Sequence, residues 1–267
     1  MAHMFIFGLG YAASHIAAHL RQSGWTLDAT GRDGNLDFAD AAAIRSALRR
    51  ASHVLSSVPP GEDGDPVLDA HGADLGGKWL GYLSSTGVYG DTGGAWVDES
   101  AQIGGGRRSA RAQADAGWLE LGARVFRLPG IYGPGRSALK RVREGRAHRI
   151  DLPDQIFSRV HVEDIASGVM AALDRAAPPG AYNLADDLPC GQNRVIEEAC
   201  RLTGAPVPPL RLLDEAGLSP MARAFYAENR RVANGKAKRI LGWRPRHPTY
   251  REGLRAVLAA EREQAGR

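Results

Sequence analysis

Gly8, Gly10 and Ala13 are spaced Gly-x-Gly-x-x-Ala within Phe7-Gly8-Leu9-Gly10-Tyr11-Ala12-Ala13. An apolar run, Met4 to Phe7, leads into them and an amphipathic run follows. The first glycine permits a tight turn. The second lets the backbone approach a pyrophosphate, and the small third residue lets a helix lie close to the preceding strand. Free N–H groups at the helix start, at Tyr11 and its neighbours, would face the anion. The pattern predicts a dinucleotide-binding turn; an ordinary strand–helix turn is the plain alternative.

The next apolar run ends Ala29-Thr30-Gly31-Arg32. A dinucleotide without a 2′-phosphate is met by an acid about 20 residues past the glycines. Asp28 comes too early for that place, and Arg32 stands in it. A guanidinium suits a 2′-phosphate, so NADP (NADPH) is expected over NAD. Asp37 is expected to border the adenine. Ser57-Val58-Pro59-Pro60 should pass over the cofactor's middle, which puts Ser57 and Pro59 against it. Arg223, Tyr226, Arg230 and Arg231 gather late in the chain. Arg230 is expected at an anionic small-molecule substrate, although solvated charge is the ordinary reading of such a group.

These residues need a scaffold. Short apolar runs predict strands at Met4–Phe7, Thr26–Thr30, His53–Ser57, Trp79–Ser84 and Ala123–Arg127. Helical patterns lie between them at Ser14–Ser23, Ala41–Arg50, Asp65–Gly77 and Ser109–Leu121, the third weakened by its glycines. The later part predicts helices at Val162–Arg175, Gly191–Thr203, Asn234–Leu241 and Tyr250–Glu263. A short strand falls at Ala181–Leu184, and a proline-rich loop or edge strand at Ala205–Leu212. Strands alternating with helices imply an α/β fold: a Rossmann, doubly wound parallel sheet with a small C-terminal substrate lobe. The expected core is 1–185, with part of 136–158 on the substrate side, and the lobe is 186–267.

Several segments together resemble the short-chain dehydrogenase/reductase superfamily, in its extended and atypical epimerase/dehydratase-like branch. They are the glycine turn, Leu83-Ser84-Ser85-Thr86-Gly87-Val88-Tyr89-Gly90-Asp91, Arg127-Leu128-Pro129-Gly130-Ile131-Tyr132-Gly133-Pro134-Gly135, Arg159-Val160-His161-Val162-Glu163-Asp164, Tyr182-Asn183-Leu184-Ala185-Asp186-Asp187 and Leu241-Gly242-Trp243-Arg244-Pro245. They follow the family's order over almost the whole chain. The resemblance implies a hydroxyl on the substrate's reacting oxygen, from Ser85 or Thr86. It also implies a nicotinamide pocket lined by Pro129 and Ile131, and a His161–Asp164 motif tying the lobe to the core. Many extended relatives pair through a four-helix interface, so a homodimer is implied too.

The resemblance breaks at the family's Tyr-x-x-x-Lys pair. Here the region reads Gly105-Gly106-Arg107-Arg108-Ser109-Ala110-Arg111-Ala112, and no tyrosine lies between Tyr89 and Tyr132. The spacing puts Arg107 at the tyrosine place and Arg111 at the lysine place. Arginine stays protonated and is a poor general base. Arg111 can still hold a ribose or phosphate, and Arg107 can polarise a carbonyl or bind an acid. Tyr89, Tyr132 and His161 are the other candidates near substrate.

The chain has 267 residues, a net charge of +4 and two cysteines, Cys190 and Cys200, in no metal-ligand pattern. No apolar run reaches the roughly 18 residues of a membrane span, and no signal peptide is evident, so a cytoplasmic location is expected. The basic residues are spread without an aromatic platform, so no nucleic-acid partner is expected. Two functions remain open. One is an NADP(H)-dependent epimerase/dehydratase-like oxidoreductase with a non-standard proton donor. The other is a catalytically silent NADP(H)-binding regulator or sensor.

Overall fold

Strand β1 (His3–Phe7) shows why its run reads as continuously apolar. Met4 and Ile6 pack with Ile16, Leu20, Ile165 and Val169, while Phe5 and Phe7 join Ile44, Leu48, Tyr82 and Trp118. Alternate side chains serve opposite faces, both covered, which is the condition of a buried parallel strand. The computed structural model describes residues 2–104 and 109–265. From β1, helix α1 (Tyr11–Gln22) leads to β2 (Thr26–Ala29), α2 (Ala41–Arg50) to β3 (His53–Ser56), and α3 (Pro66–His71) to β4 (Trp79–Ser85). After β5 (Trp96–Val97), α4 (Ser109–Glu120) leads to β6 (Arg124–Leu128). Strand β7 (Gly130–Tyr132), α5 (Ala138–Arg143), β8 (Arg149–Ile150), β9 (Arg159–His161) and α6 (Val162–Asp174) then precede β10 (Gly180–Asn183).

Among the described residues one six-stranded sheet runs in the order β10-β6-β4-β3-β1-β2, with every pair parallel. Each of the six expected apolar runs supplies one of its strands. Helices α1 and α6 cover one face, and α2, α3 and α4 the other. The helix expected at Asp65–Gly77 is shorter: α3 stops at His71 and a 3₁₀ turn covers Gly72–Asp74. Gly76 and Gly77 follow, and glycine weakens a helix interior.

The chain ends with α7 (Gln192–Thr203), β11 (Leu210–Arg211), α8 (Pro220–Phe225), β12 (Arg231–Val232), α9 (Gly235–Ile240) and α10 (Tyr250–Ala265). Ala138 and Leu139 of α5, Val195, Ile196 and Ala199 of α7, and Tyr250, Leu254 and Val257 of α10 share a separate apolar cluster. β8 pairs with β11, so much of 136–158 packs with the C-terminal elements. No helix among the described residues is long and apolar enough to cross a membrane.

The junction between these parts is buried and polar. The Asp164 carboxylate accepts from the N–H groups of Arg246 (2.6 Å) and His247 (3.1 Å) and lies 2.9 Å from His247 Nδ1. Nearby Asp186 is 2 % exposed, and its Oδ2 has no partner among the described residues. Burial, opposed by Arg159, pushes its carboxyl up to about 8. The folded chain therefore keeps this proton up to about pH 8, whereas an unfolded aspartate releases it near about 3.9. The stability it contributes is full below that lower value and is lost as pH rises through the upper one. Asp186→Asn cannot ionise, so its melting temperature relative to the parent should be more favourable near pH 9 than near pH 5. An equal difference at both pH values would show that Asp186 does not titrate in this way.

Candidate functional site

The chain leaves β1 toward β2 on one side and later returns to β3 on the other. This reversal opens a crevice at the carboxyl ends of the strands, where open α/β sheets bind ligands. The glycine turn sits there. Gly8 has φ +79°, and a Cβ on it would come within 2.9 Å of Val58 Cγ2. Gly8 N donates to Thr30 Oγ1 (3.0 Å), Leu9 N to the Thr30 carbonyl (2.7 Å), and Ser57 Oγ to the Gly8 carbonyl (2.5 Å). Residues leaving β2 and β3 thus brace the turn between them. Sequence reasoning missed Thr30; the signal was a hydroxyl closing the second strand, just before Gly31. Gly31 itself has φ +108°, and its Cβ would meet Leu9 N at 2.8 Å.

Gly10 caps α1 in an extended conformation without a side-chain hydrogen bond, and space is open to 4 Å around where its Cβ would stand. Ala13 is buried against the core. Tyr11 donates to the Pro134 carbonyl (3.0 Å), and the Arg136 guanidinium lies 5.7 Å from its ring centre. Burial pushes the Tyr11 phenol up to about 12. The turn therefore offers an uncapped helix end, an open glycine and a fixed wall. That fits a pyrophosphate.

A cleft of about 480 Å³ continues from this point. Gly10, Tyr11, Ser57 and Pro59 line it together with Pro129 and Ile131. Ser85, Thr86, Arg111 and Arg230 line the same space. Ser85 Oγ accepts from Gly87 N (3.1 Å) and so caps the turn that carries Thr86. Arg107 lies outside the described residues. Arg32 and Asp37 are exposed beyond β2 and are not in the cleft wall. Asp28, the acid on β2, is committed to His3 Nε2 (3.1 Å), Arg50 Nη2 (2.9 Å) and Asn35 Nδ2 (2.8 Å).

Tyr89, Tyr132 and His161 were expected near substrate, but the structure buries all three away from the cleft wall. Tyr89 donates to Asn183 Oδ1 (2.7 Å) and accepts from Arg127 Nη1 (3.0 Å). His161 Nδ1 accepts from Glu163 N (3.3 Å) and so caps α6. Burial, with neighbouring His247, pushes its imidazole down to about 4, so it is neutral near pH 7. Tyr132 stands edge-on to the His161 ring at 5.2 Å. His161, Asp164 and His247 do bring ligand-type atoms within 4.8 Å of one another. Both Asp164 oxygens already accept hydrogen bonds, and the two imidazoles pack against each other, 4.0 Å between ring centres and tilted by 40°, so the group reads as a tie between segments. Of the late basic group only Arg230 lines the cleft. Arg223 is paired with Asp214, and Arg231 Nη1 donates to the Gly94 carbonyl.

Behind the cleft lies a network that sequence reasoning did not identify. Asp115 of α4 accepts from Ser84 Oγ (2.6 Å), Arg127 Nε (3.1 Å) and Arg127 Nη2 (2.7 Å). Asp115 and Arg127 are both buried. Burial alone would lower the guanidinium's pKa, but the hydrogen bonds it donates to Asp115 and the contact with Tyr89 outweigh it and hold it above its ordinary value. Asp115 stands one helical turn past Arg111, so one face of α4 serves both cleft and network. That i, i+4 spacing was the available signal.

No family model matches the chain. The solved structure of a functionally unknown conserved protein from Silicibacter pomeroyi is 39 % identical, covers 97 % of this chain and 99 % of its own, and superposes with a TM-score of 0.87. The UDP-glucose 4-epimerase of Thermus thermophilus, solved with NAD, reaches a TM-score of 0.76 at 18 % identity over 97 % of this chain and 99 % of its own. A human epimerase family protein, solved with NADPH, reaches 0.79 at 13 % identity over 96 % and 99 %. At such identities these two show the fold. A 3-diazoavenalumate denitrifying reductase from a Streptomyces species is 31 % identical over 149 residues, 51 % of this chain and 47 % of the reductase, so the match spans about half of each. Sheet order, glycine turn and these likenesses agree on the fold: the chain is built as the epimerase structures are, and it is similar over nearly its whole length to the functionally unknown Silicibacter pomeroyi protein.

Proposed function

We propose that this protein is an NADP(H)-dependent oxidoreductase acting on a small anionic substrate. The observation that carries this reading is the convergence, in one cleft at the switch point, of the open glycine turn with Ser85, Thr86 and Arg111. Gly8, Gly10 and the start of α1 would hold the pyrophosphate, Arg32 the 2′-phosphate, and Pro129 and Ile131 the nicotinamide side. The cofactor, when bound, supplies hydride transfer. The chain's own part is to hold the substrate's reacting atom with the Ser85 or Thr86 hydroxyl and to balance charge with Arg111. No tyrosine lies between Tyr89 and Tyr132, and the Tyr11 hydroxyl in the wall already donates to the Pro134 carbonyl, so a substrate already protonated, as an imine can be, suits the site.

Titration of the protein with NADPH and NADH side by side, followed by fluorescence, tests this reading. NADPH should bind at least about tenfold more tightly, the scale of one hydrogen-bonded charge contact, and Arg32→Ala should erase the preference. Equal affinity in the parent removes Arg32 from the 2′-phosphate, and failure of both nucleotides to bind removes the reading. The missing tyrosine favours a second reading, a silent binder that senses NADP(H). Absence of NADPH consumption across a panel of carbonyl and imine acids would support it.

A further inference from the structure

We propose that the cleft takes a planar conjugated acid, its ring lying on Phe225 and its anionic group meeting Arg136 and Arg230. This rests on the cleft being the reaction site and names the class of molecule that enters it. Phe225 lines the cleft and is 51 % exposed, an unusual state for a phenyl ring fixed in a wall. Its other side is backed by Phe157, parallel within 8° at 4.4 Å and itself only 7 % exposed. Tyr226 stands edge-on to both rings, at 5.6 and 6.2 Å. The ring is thus held from behind and beside, and it is ready to stack with a flat π-system.

The charges point the same way. The lining carries three arginines, Arg111, Arg136 and Arg230, against one carboxylate, Glu228. Arg230 is oriented by Glu228 Oε2 (2.8 Å) and by the Gly90 carbonyl (2.5 Å). Arg136 is exposed and forms no ion pair with a described carboxylate. A guanidinium fork matches a carboxylate in two parallel hydrogen bonds. Among the described residues of the wall are no Asn, Gln, Asp or His side chains. The hydroxyls of Ser57, Ser85, Thr86 and Ser158 could serve a sugar or an acid, so it is the exposed ring and the arginines that favour a flat acid.

The test is calorimetric binding of trans-cinnamate, with 3-cyclohexylpropanoate as the non-planar acid, cinnamyl alcohol as the uncharged ring and UDP-glucose as the sugar nucleotide. Each is titrated into the protein with and without NADPH. Cinnamate should bind at least about tenfold more tightly than the others. Phe225→Ala should weaken it by about the same factor, and Phe225→Trp should retain it. Arg136→Gln should weaken cinnamate and leave cinnamyl alcohol unchanged. NADPH affinity should be the same in Phe225→Ala as in the parent. Equal binding of the planar and non-planar acids, indifference to Phe225→Ala, or tighter binding of UDP-glucose would each overturn the proposal. A protein that binds NADPH but not cinnamate refutes the substrate class and leaves the cofactor reading standing. A protein that binds cinnamate through Phe225 but not NADPH does the reverse.

Discussion

Gly10→Asp should raise the dissociation constant for NADPH at least about 100-fold while leaving the unliganded protein as stable as the parent, or slightly more so. Gly10 occupies the cap of α1 in an extended conformation, with nothing within 4 Å of its would-be Cβ. Aspartate is among the best residues for that place and improves on glycine by a few tenths of a kcal/mol. Its charge also suits the positive end of the helix. The same carboxylate would take the N–H groups that a pyrophosphate needs and would repel it. A lost hydrogen bond to a charged group costs about 1.5–3 kcal/mol, and about 2.7 kcal/mol is 100-fold. Fluorescence titration and a thermal melt read the two halves separately. Unchanged NADPH affinity would mean that the dinucleotide does not lie on α1. Gly8→Ala should behave differently, losing stability as well as affinity, because Gly8 combines φ +79° with the contact to Val58.

The contrast between these glycines shows what was legible in the sequence. The spacing of Gly8, Gly10 and Ala13 is local, and a strand before and a helix after it are enough to fix its meaning. Buried parallel strands are legible for a similar reason: Met4–Phe7 must be apolar at every position because both faces are covered. Tyr89 was misplaced because its local turn looks accessible. Only the approach of Arg127 from β6 and Asn183 from β10 encloses it. The far wall of the cleft was hidden in the same way. Arg136, Phe157 and Phe225 come from three distant segments, and no period in the chain links them. Thr30 shows the limit on a smaller scale: its two bonds to the glycine turn cross from β2 to the end of β1.

Asp115→Ala should cost about 3–5 kcal/mol of stability, the usual penalty for leaving one partner of a buried ion pair alone. For a domain whose whole margin is about 5–15 kcal/mol, that is a large share, and urea unfolding would show it as an earlier midpoint. Asp115 accepts three hydrogen bonds, and its loss would strand the Arg127 guanidinium where water cannot reach it. If desolvation of Arg127 is the cause, replacing both partners with apolar side chains, Asp115→Leu with Arg127→Met, should recover much of the loss. A single variant within about 1 kcal/mol of the parent would show that the pair is hydrated or dispensable. Near-complete recovery in the double variant would carry a further consequence for the site. Ser84 bonds to Asp115 while the next residue, Ser85, faces the cleft, so the pair also fixes where the hydroxyls stand. A double variant that folds and binds NADPH but turns over substrate poorly would separate the two roles: the ion pair costs stability to bury, and its retention is explained by the placement of Ser85 and Thr86.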